Sequence, residues 1–142
     1  MNAKTPDLDE YVSEITSRVE SHYADGTISL GTIVELFGVA GGLLSYKFDG
    51  DAGVMRAFED VQFLAPAYQG DYVRVTCRYL SIGNSSRRRS YEAHVVARTL
   101  GIGHAPTSGE VLKDPILIAS ATGTVVVRAD LQRTTPAAFR KA

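Results

Sequence analysis

Four ionisable side chains gather around one apolar segment of this 142-residue chain: His22, Tyr23 and Asp25 just before it, and Glu35 within it. Their types suit proton transfer. A histidine changes charge near neutrality, so His22 can serve as acid or base. A carboxyl set among apolar neighbours, as Glu35 is, must be protonated, paired or turned toward a pocket, and a pocket carboxyl is a natural acid/base group. Tyr23 can hold an oxyanion or orient a substrate, and Asp25 completes the set. If a helix starts at Leu30 and Gly31, its first-turn N–H groups have no intrahelical acceptors and offer donors to a developing negative oxygen.

Two further clusters lie downstream. In "NSSRRRS", Asn84, Ser85 and Ser86 precede Arg87 and Arg88; guanidinium forks suit phosphate oxygens, and a solvated turn is the plainer alternative. In "DGDAG", Asp49 and Asp51 could select an ammonium group or form an ordinary Asp-Gly turn. No regular series of oxygen ligands follows them, so no metal site is expected. His94 and His104 receive no role. Cys77 is the single cysteine; it alternates with the apolar face of its strand, as a buried inert thiol does.

Composition narrows the partners. A formal net charge of −1 offers no basic face for nucleic acid or an anionic membrane. No apolar run approaches the roughly 20 residues that cross a bilayer, and "MNAKTPDLDE" lacks the apolar core of a signal peptide. With one cysteine and no disulfide framework, a cytoplasmic location is expected.

The elements that must position these groups follow from periodicity. Residues 11–20 read as a strand, with spacing that also suits a short helix. Ser29 to Lys47 is the one long helix: Ser29 can cap it, and Leu30, Ile33, Val34, Phe37, Ala40, Leu43 and Leu44 form a stripe so wide that burial on most sides is expected. Gly38, Gly41 and Gly42 are unfavourable in a helix unless another segment packs closely there. Strands follow in "GVMRAFEDVQFLAP", "YVRVTCRYLSI", "SYEAHVVARTL" and "PILIASATGTVVVRA". The "GNSSRR" stretch reads as a turn, 101–114 as a loop, 1–10 as a polar leader and 130–142 as a tail. The whole reads as one α+β domain, 1–142, with an antiparallel sheet around a long central helix.

That order, with "LFGVAGGLL" on the helix and "VQFLAPAYQGD" after it, resembles the hotdog fold of acyl-CoA thioesterases and dehydratases. Together with "HYADG", "DGDAGV" and "IGNSSR", it is most similar to the 3-aminobutyryl-CoA and β-alanyl-CoA ammonia-lyases, over roughly residues 20 to 130. The lyase pattern carries an Asp directly after "LFG" and a Glu four residues on, where this chain has Val39 and Leu43. The thioesterase pattern has an acid in mid-helix, where this chain has Gly38.

The resemblance implies elimination or addition of ammonia at the β-carbon of a 3-aminoacyl-CoA. His22, Tyr23, Asp25 and Glu35 are then the acid/base candidates, Leu30 and Gly31 the oxyanion donors, and the arginine turn the anchor for coenzyme A phosphates. Coenzyme A enters as part of the substrate, with no permanently bound cofactor. The resemblance also implies a homodimer, or a higher oligomer such as a hexamer. An acyl-CoA thioesterase and a noncatalytic acyl-CoA or acyl-carrier binding protein are the alternatives, and the acyl group could equally ride on a carrier protein.

Overall fold

A computed structural model of the chain describes residues 7–140. Five strands, β1 (Val12–Arg18), β2 (Val54–Phe63), β3 (Tyr72–Ile82), β4 (Ser86–Thr99) and β5 (Gly109–Val126), accompany one helix, α1 (Leu30–Phe48). They form a single antiparallel sheet in the order β1-β3-β4-β5-β2. One sheet face is covered by α1: Ile33, Phe37, Ala40, Leu44 and Phe48 bury themselves against Val73, Val75, Cys77, Tyr91, Ala93 and Val95. This is the hotdog arrangement. Of the polar leader, residues 1–6 lie outside the described residues, while Leu8–Glu10 makes a short 3-10 turn.

Several elements differ from the periodicity reading, each for a local reason. Ser29 stands at the start of α1, but its hydroxyl makes no capping bond. The helix is not buried on most sides: Val39 and Tyr46 are 53% and 62% exposed, and Glu35 lies on the same open side. Its glycines divide accordingly. A Cβ on Gly41 would meet the Arg89 Nη2 at 2.6 Å, whereas one on Gly38 or Gly42 would meet nothing within 4 Å. Close packing therefore explains Gly41 alone.

The largest correction concerns "SSRRRS". From Ser86 onward it belongs to strand β4, so side chains alternate between faces. Arg87 and Arg89 turn inward and are buried, while Arg88 points outward to Glu59 at 3.3 Å. Arg87 meets Asp49 in a two-pronged ion pair, both contacts at 3.0 Å and both side chains without solvent exposure. Its remaining nitrogen donates to the carbonyls of Gly83 and Ser86. A carboxylate just after α1 opposes the helix dipole; the arginine offsets that penalty. Asp49 and Arg87, expected to meet substrate, thus spend their charges on each other inside the protein.

The expected tail is also bound to the core. Thr135 donates its hydroxyl to Asp49 Oδ1, Arg133 and Thr134 donate backbone N–H groups to the Asp49 carbonyl, and the Phe139 ring lies 5.4 Å from that of Phe48. Asp49 therefore ties the end of α1, the start of β4 and the C-terminal segment together.

Removing one partner of a fully buried ion pair strands the other charge, so Arg87→Met should lower unfolding stability by about 3–5 kcal/mol in urea titration. Arg87→Met combined with Asp49→Asn should recover part of that loss. A change near zero for Arg87→Met would show that the pair does not hold these segments.

Candidate functional site

The loop before α1 is shaped by short-range hydrogen bonds. Asp25 Oδ1 accepts from the backbone N–H of Thr27 at 2.9 Å and from its hydroxyl at 2.6 Å. Gly26, at φ +86°, closes the turn by donating to the Tyr23 carbonyl; a side chain would be strained there. The loop then runs beside α1, with isolated bridges between His22 and Ile28 and between Thr27 and Tyr68. This geometry brings the Tyr23 hydroxyl to the helix start, where it accepts from the Leu30 N–H at 3.1 Å. A first-turn amide, free by the rule of helix ends, is thereby matched to a phenol.

His22 Nδ1 lies 2.7 Å from the Tyr23 carbonyl. Because a carbonyl only accepts, Nδ1 carries the hydrogen, and in the neutral ring Nε2 is left as the acceptor. The imidazole is exposed, so Nε2 is open to a ligand's proton.

A cleft of about 390 Å³ opens at this helix start, lined by Tyr23, Leu30, Ile33, Phe63, Leu64 and Ile118 among others. Its far wall is built by the end of β2 joining β5, where the Leu64 N–H donates to the Ile118 carbonyl at 2.8 Å. Of the expected site residues, the fold brings Tyr23 and Leu30 together on this cleft. Gly31 follows Leu30 in the first turn, and His22 and Asp25 stand on the adjoining loop without lining it. Glu35 sits exposed further along α1. Asp25 is committed to its turn: the Thr27 hydrogen bonds hold its carboxyl below the ordinary value of 3.8. A group ionised so readily is a poor proton donor near neutrality.

The other expected binding residues lie elsewhere. The 83–86 turn is fixed at the opposite end of α1, where the Ser85 carbonyl accepts from Val127 N–H and the Asn84 carbonyl from the Gln132 amide. Ser86 opens β4 beside them. A helix of 19 residues separates the two ends by about 28 Å at 1.5 Å per residue. Asp51 accepts from the Gly53 N–H at 2.8 Å, the two-residue reach of an aspartate turn.

Arg89, the third arginine of the cluster expected to meet phosphate, is also turned away from solvent. It is buried with no carboxylate in contact, donating to the Tyr91 hydroxyl at 2.9 Å, the Gly41 carbonyl at 2.7 Å and the Ser45 hydroxyl at 2.8 Å. Burial pushes the Tyr91 hydroxyl above its ordinary value, so it stays protonated. Extending the β4 alternation two residues toward the turn would have revealed this arginine. Burial likewise pushes the Cys77 thiol up to about 11, which keeps it protonated and unreactive. Among the described residues no three His, Cys, Asp or Glu side chains converge as metal ligands.

A larger cleft of about 740 Å³ lies on the sheet face away from α1, beneath the β4–β5 hairpin. Its arginines are engaged: Arg18 with Glu20 and Arg98 with Asp71, each at 2.7 Å.

The family model described as the thioesterase superfamily matches residues 25–102. The chain belongs to the thioesterase superfamily. Within it, the chain is 35% identical over 116 residues to the 3-aminobutyryl-CoA ammonia lyase of Acetoanaerobium sticklandii, covering 80% of this chain and 90% of that one. The structure superimposes on β-alanyl-CoA:ammonia lyase from Clostridium propionicum with a TM-score of 0.80 and 26% identity, covering 90% of this chain and 92% of the other. A hexameric thioesterase from Yersinia pestis shares the fold at a TM-score of 0.70 and 20% identity, covering 87% and 94%.

Because the folded Asp25 value lies below 3.8, its contribution to the turn is fully present above that pH and fades as pH falls through the folded value. A carboxyl NMR titration should place the Asp25 midpoint below 3.8. A midpoint at or above it would mean that the Thr27 contacts do not persist in solution.

Proposed function

We propose that this protein adds ammonia to, or eliminates it from, the β-carbon of an acyl-CoA thioester, with 3-aminobutyryl-CoA and β-alanyl-CoA as the nearest substrate types. The observation that carries this is the 35% identity to a 3-aminobutyryl-CoA ammonia lyase across 80% of the chain. In the eliminating direction a base removes the proton α to the carbonyl, negative charge develops on the thioester oxygen, and the amine departs with a proton from an acid. For the oxygen we choose the Gly31 amide and the Tyr23 hydroxyl, which accepts from the Leu30 N–H and keeps its own proton to donate. The free Nε2 of His22 and the carboxyl of Glu35 are our choices for the proton steps.

Both groups stand at an open surface of one protomer, so we infer that a second copy completes the site. Val39, Leu43 and Tyr46 present apolar surface beside Glu35, and β2 leaves one edge of the sheet unpaired. An unpaired edge beside an apolar face favours self-association. Arg88, at the surface beside Glu59, is our choice for a coenzyme A phosphate.

Two experiments test these proposals. Purified protein given crotonyl-CoA and ammonium should lose the enoyl-thioester absorbance without releasing thiol. His22→Ala and Glu35→Gln should each lower kcat by roughly 10²-fold or more, the range of positioned acid/base groups. Thiol release instead would make the protein a thioesterase, and full activity in either variant would remove that residue from the proton steps. In sedimentation, the protein should run as a dimer or a multiple of one, and Leu43→Glu should shift it toward monomer; a monomeric wild type would refute the shared site.

A further inference from the structure

The hairpin between β4 and β5 carries apolar surface that the described residues leave uncovered. Residues 100–109 hold no Asp, Glu, Lys or Arg, and His104 is their one titratable side chain. The segment closes on itself through backbone bonds: the Leu100 N–H donates to the Ser108 carbonyl at 3.0 Å, and the Ser108 N–H to the Ala105 carbonyl at 2.9 Å. Gly101 and Gly103 stand at φ +81° and +93°, a conformation that favours glycine. Between them Ile102 is held out fully exposed, and Val111 on the returning strand is 82% exposed. A large aliphatic side chain fixed on a closed turn is a preorganised knob that water covers poorly.

A matching hollow lies in the cleft of about 740 Å³ beneath the same hairpin. Tyr72, Val96, Ala97, Pro106 and Val111 give it apolar wall. Its arginines are neutralised, Arg18 by Glu20 and Arg98 by Asp71, which suits an occupant without formal charge. The remaining charge on the lining, Glu110, is exposed and opposite in sign to a protonated His104. A chain's own tip cannot enter, because β4 and β5 stay paired as far as Thr99 and Gly109 and hold the turn beyond the cleft. The tip of a second copy can.

We infer that two copies of the chain clasp hairpins, the Ile102 tip of each seated in the cleft of the other. Knob and hollow lie on one arm, so a single two-fold rotation satisfies both contacts at once. This interface uses neither the open face of α1 nor the β2 edge, where the shared site was placed. A chain with both interfaces therefore assembles beyond a dimer, and two independent two-fold contacts close as a tetramer or a hexamer.

Sedimentation of the full-length protein tests the clasp apart from turnover. The wild type should run as a tetramer or hexamer and Ile102→Asp as a dimer; the substitution falls on a fully exposed side chain, so the fold is not at stake. Ile102→Asp combined with Leu43→Glu should run as a monomer. A second measurement identifies the occupant: Ile102→Cys protein co-expressed with Ala97→Cys protein should form a disulfide between copies, found by mass spectrometry of the linked peptides. Cys77, buried and held protonated, does not compete. A wild type no larger than a dimer, or Ile102→Asp protein that sediments with the wild type, overturns the inference. So does absence of the cross-link, which would leave the cleft to a small ligand or to another protein. The larger assembly and the cross-link without turnover of any enoyl-CoA would leave the clasp standing and remove the lyase proposal instead.

Discussion

Strand β4 drives two arginines into the layer between helix and sheet, and much of the molecule is arranged to receive them. A guanidinium taken out of water needs acceptors for its donors. Arg87 finds a carboxylate, two carbonyls and, through Asp49, the C-terminal segment. Arg89 finds only neutral oxygens, and its bulk requires that the facing helical residue have no side chain. The position of α1 along the sheet is therefore set by polar contacts at Ser45, Gly41 and Asp49 as well as by apolar packing. Ser13 adds a second strand, β1, to the same scheme, donating to the Ala40 carbonyl at 2.6 Å.

Fixing α1 in this way gives it two unlike faces and two unlike ends. The inner face is filled by Phe37, Ala40, Leu44 and Phe48. The outer face keeps Glu35, Val39, Leu43 and Tyr46 in the open. The C-terminal end is closed by the ion pair and the returning chain, so it is structural. The N-terminal end keeps donors that the helix cannot use, a phenol aimed at one of them, and an apolar cleft alongside. One end of the element is thus locked by charge, and the other opens onto the cleft.

The departure from the lyase pattern at Val39 and Leu43 bears on mechanism. Acids at those places would stand on the outer face of α1, on the side that Glu35 occupies about one turn before Val39 and two before Leu43. A carboxyl at Glu35 lies about 6 Å and about 12 Å nearer the helix start than acids at those two places would, closer to Tyr23 and Leu30. A proton step run from Glu35 is compatible with that displacement, and the remaining polarity of the outer face is then low enough to serve contact between copies.

Local chemistry legible in the sequence held up well where it depended on neighbours along the chain. The single long helix, the alternation of Val73, Val75, Cys77 and Tyr79, and the β3-β4-β5 meander follow from apolar periods of 3.6 and 2, which burial enforces directly. The Asp51 turn follows from a side chain that bonds two residues onward. The cluster of basic residues was legible too, but its meaning was not: whether 86–89 is a turn or a strand decides which arginines are buried, and only pairing with β5 and β3 settles that. The partner of Arg87 lies 38 residues away at Asp49. Phe63, Leu64 and Ile118 join the helix start through a β2–β5 contact for which no local pattern exists. The sequence by itself determined which segments become helix and strand and which side of each is apolar. Only the tertiary structure decided which charges neutralise one another and which groups share the cleft, because those pairings depend on distances in space between segments far apart along the chain.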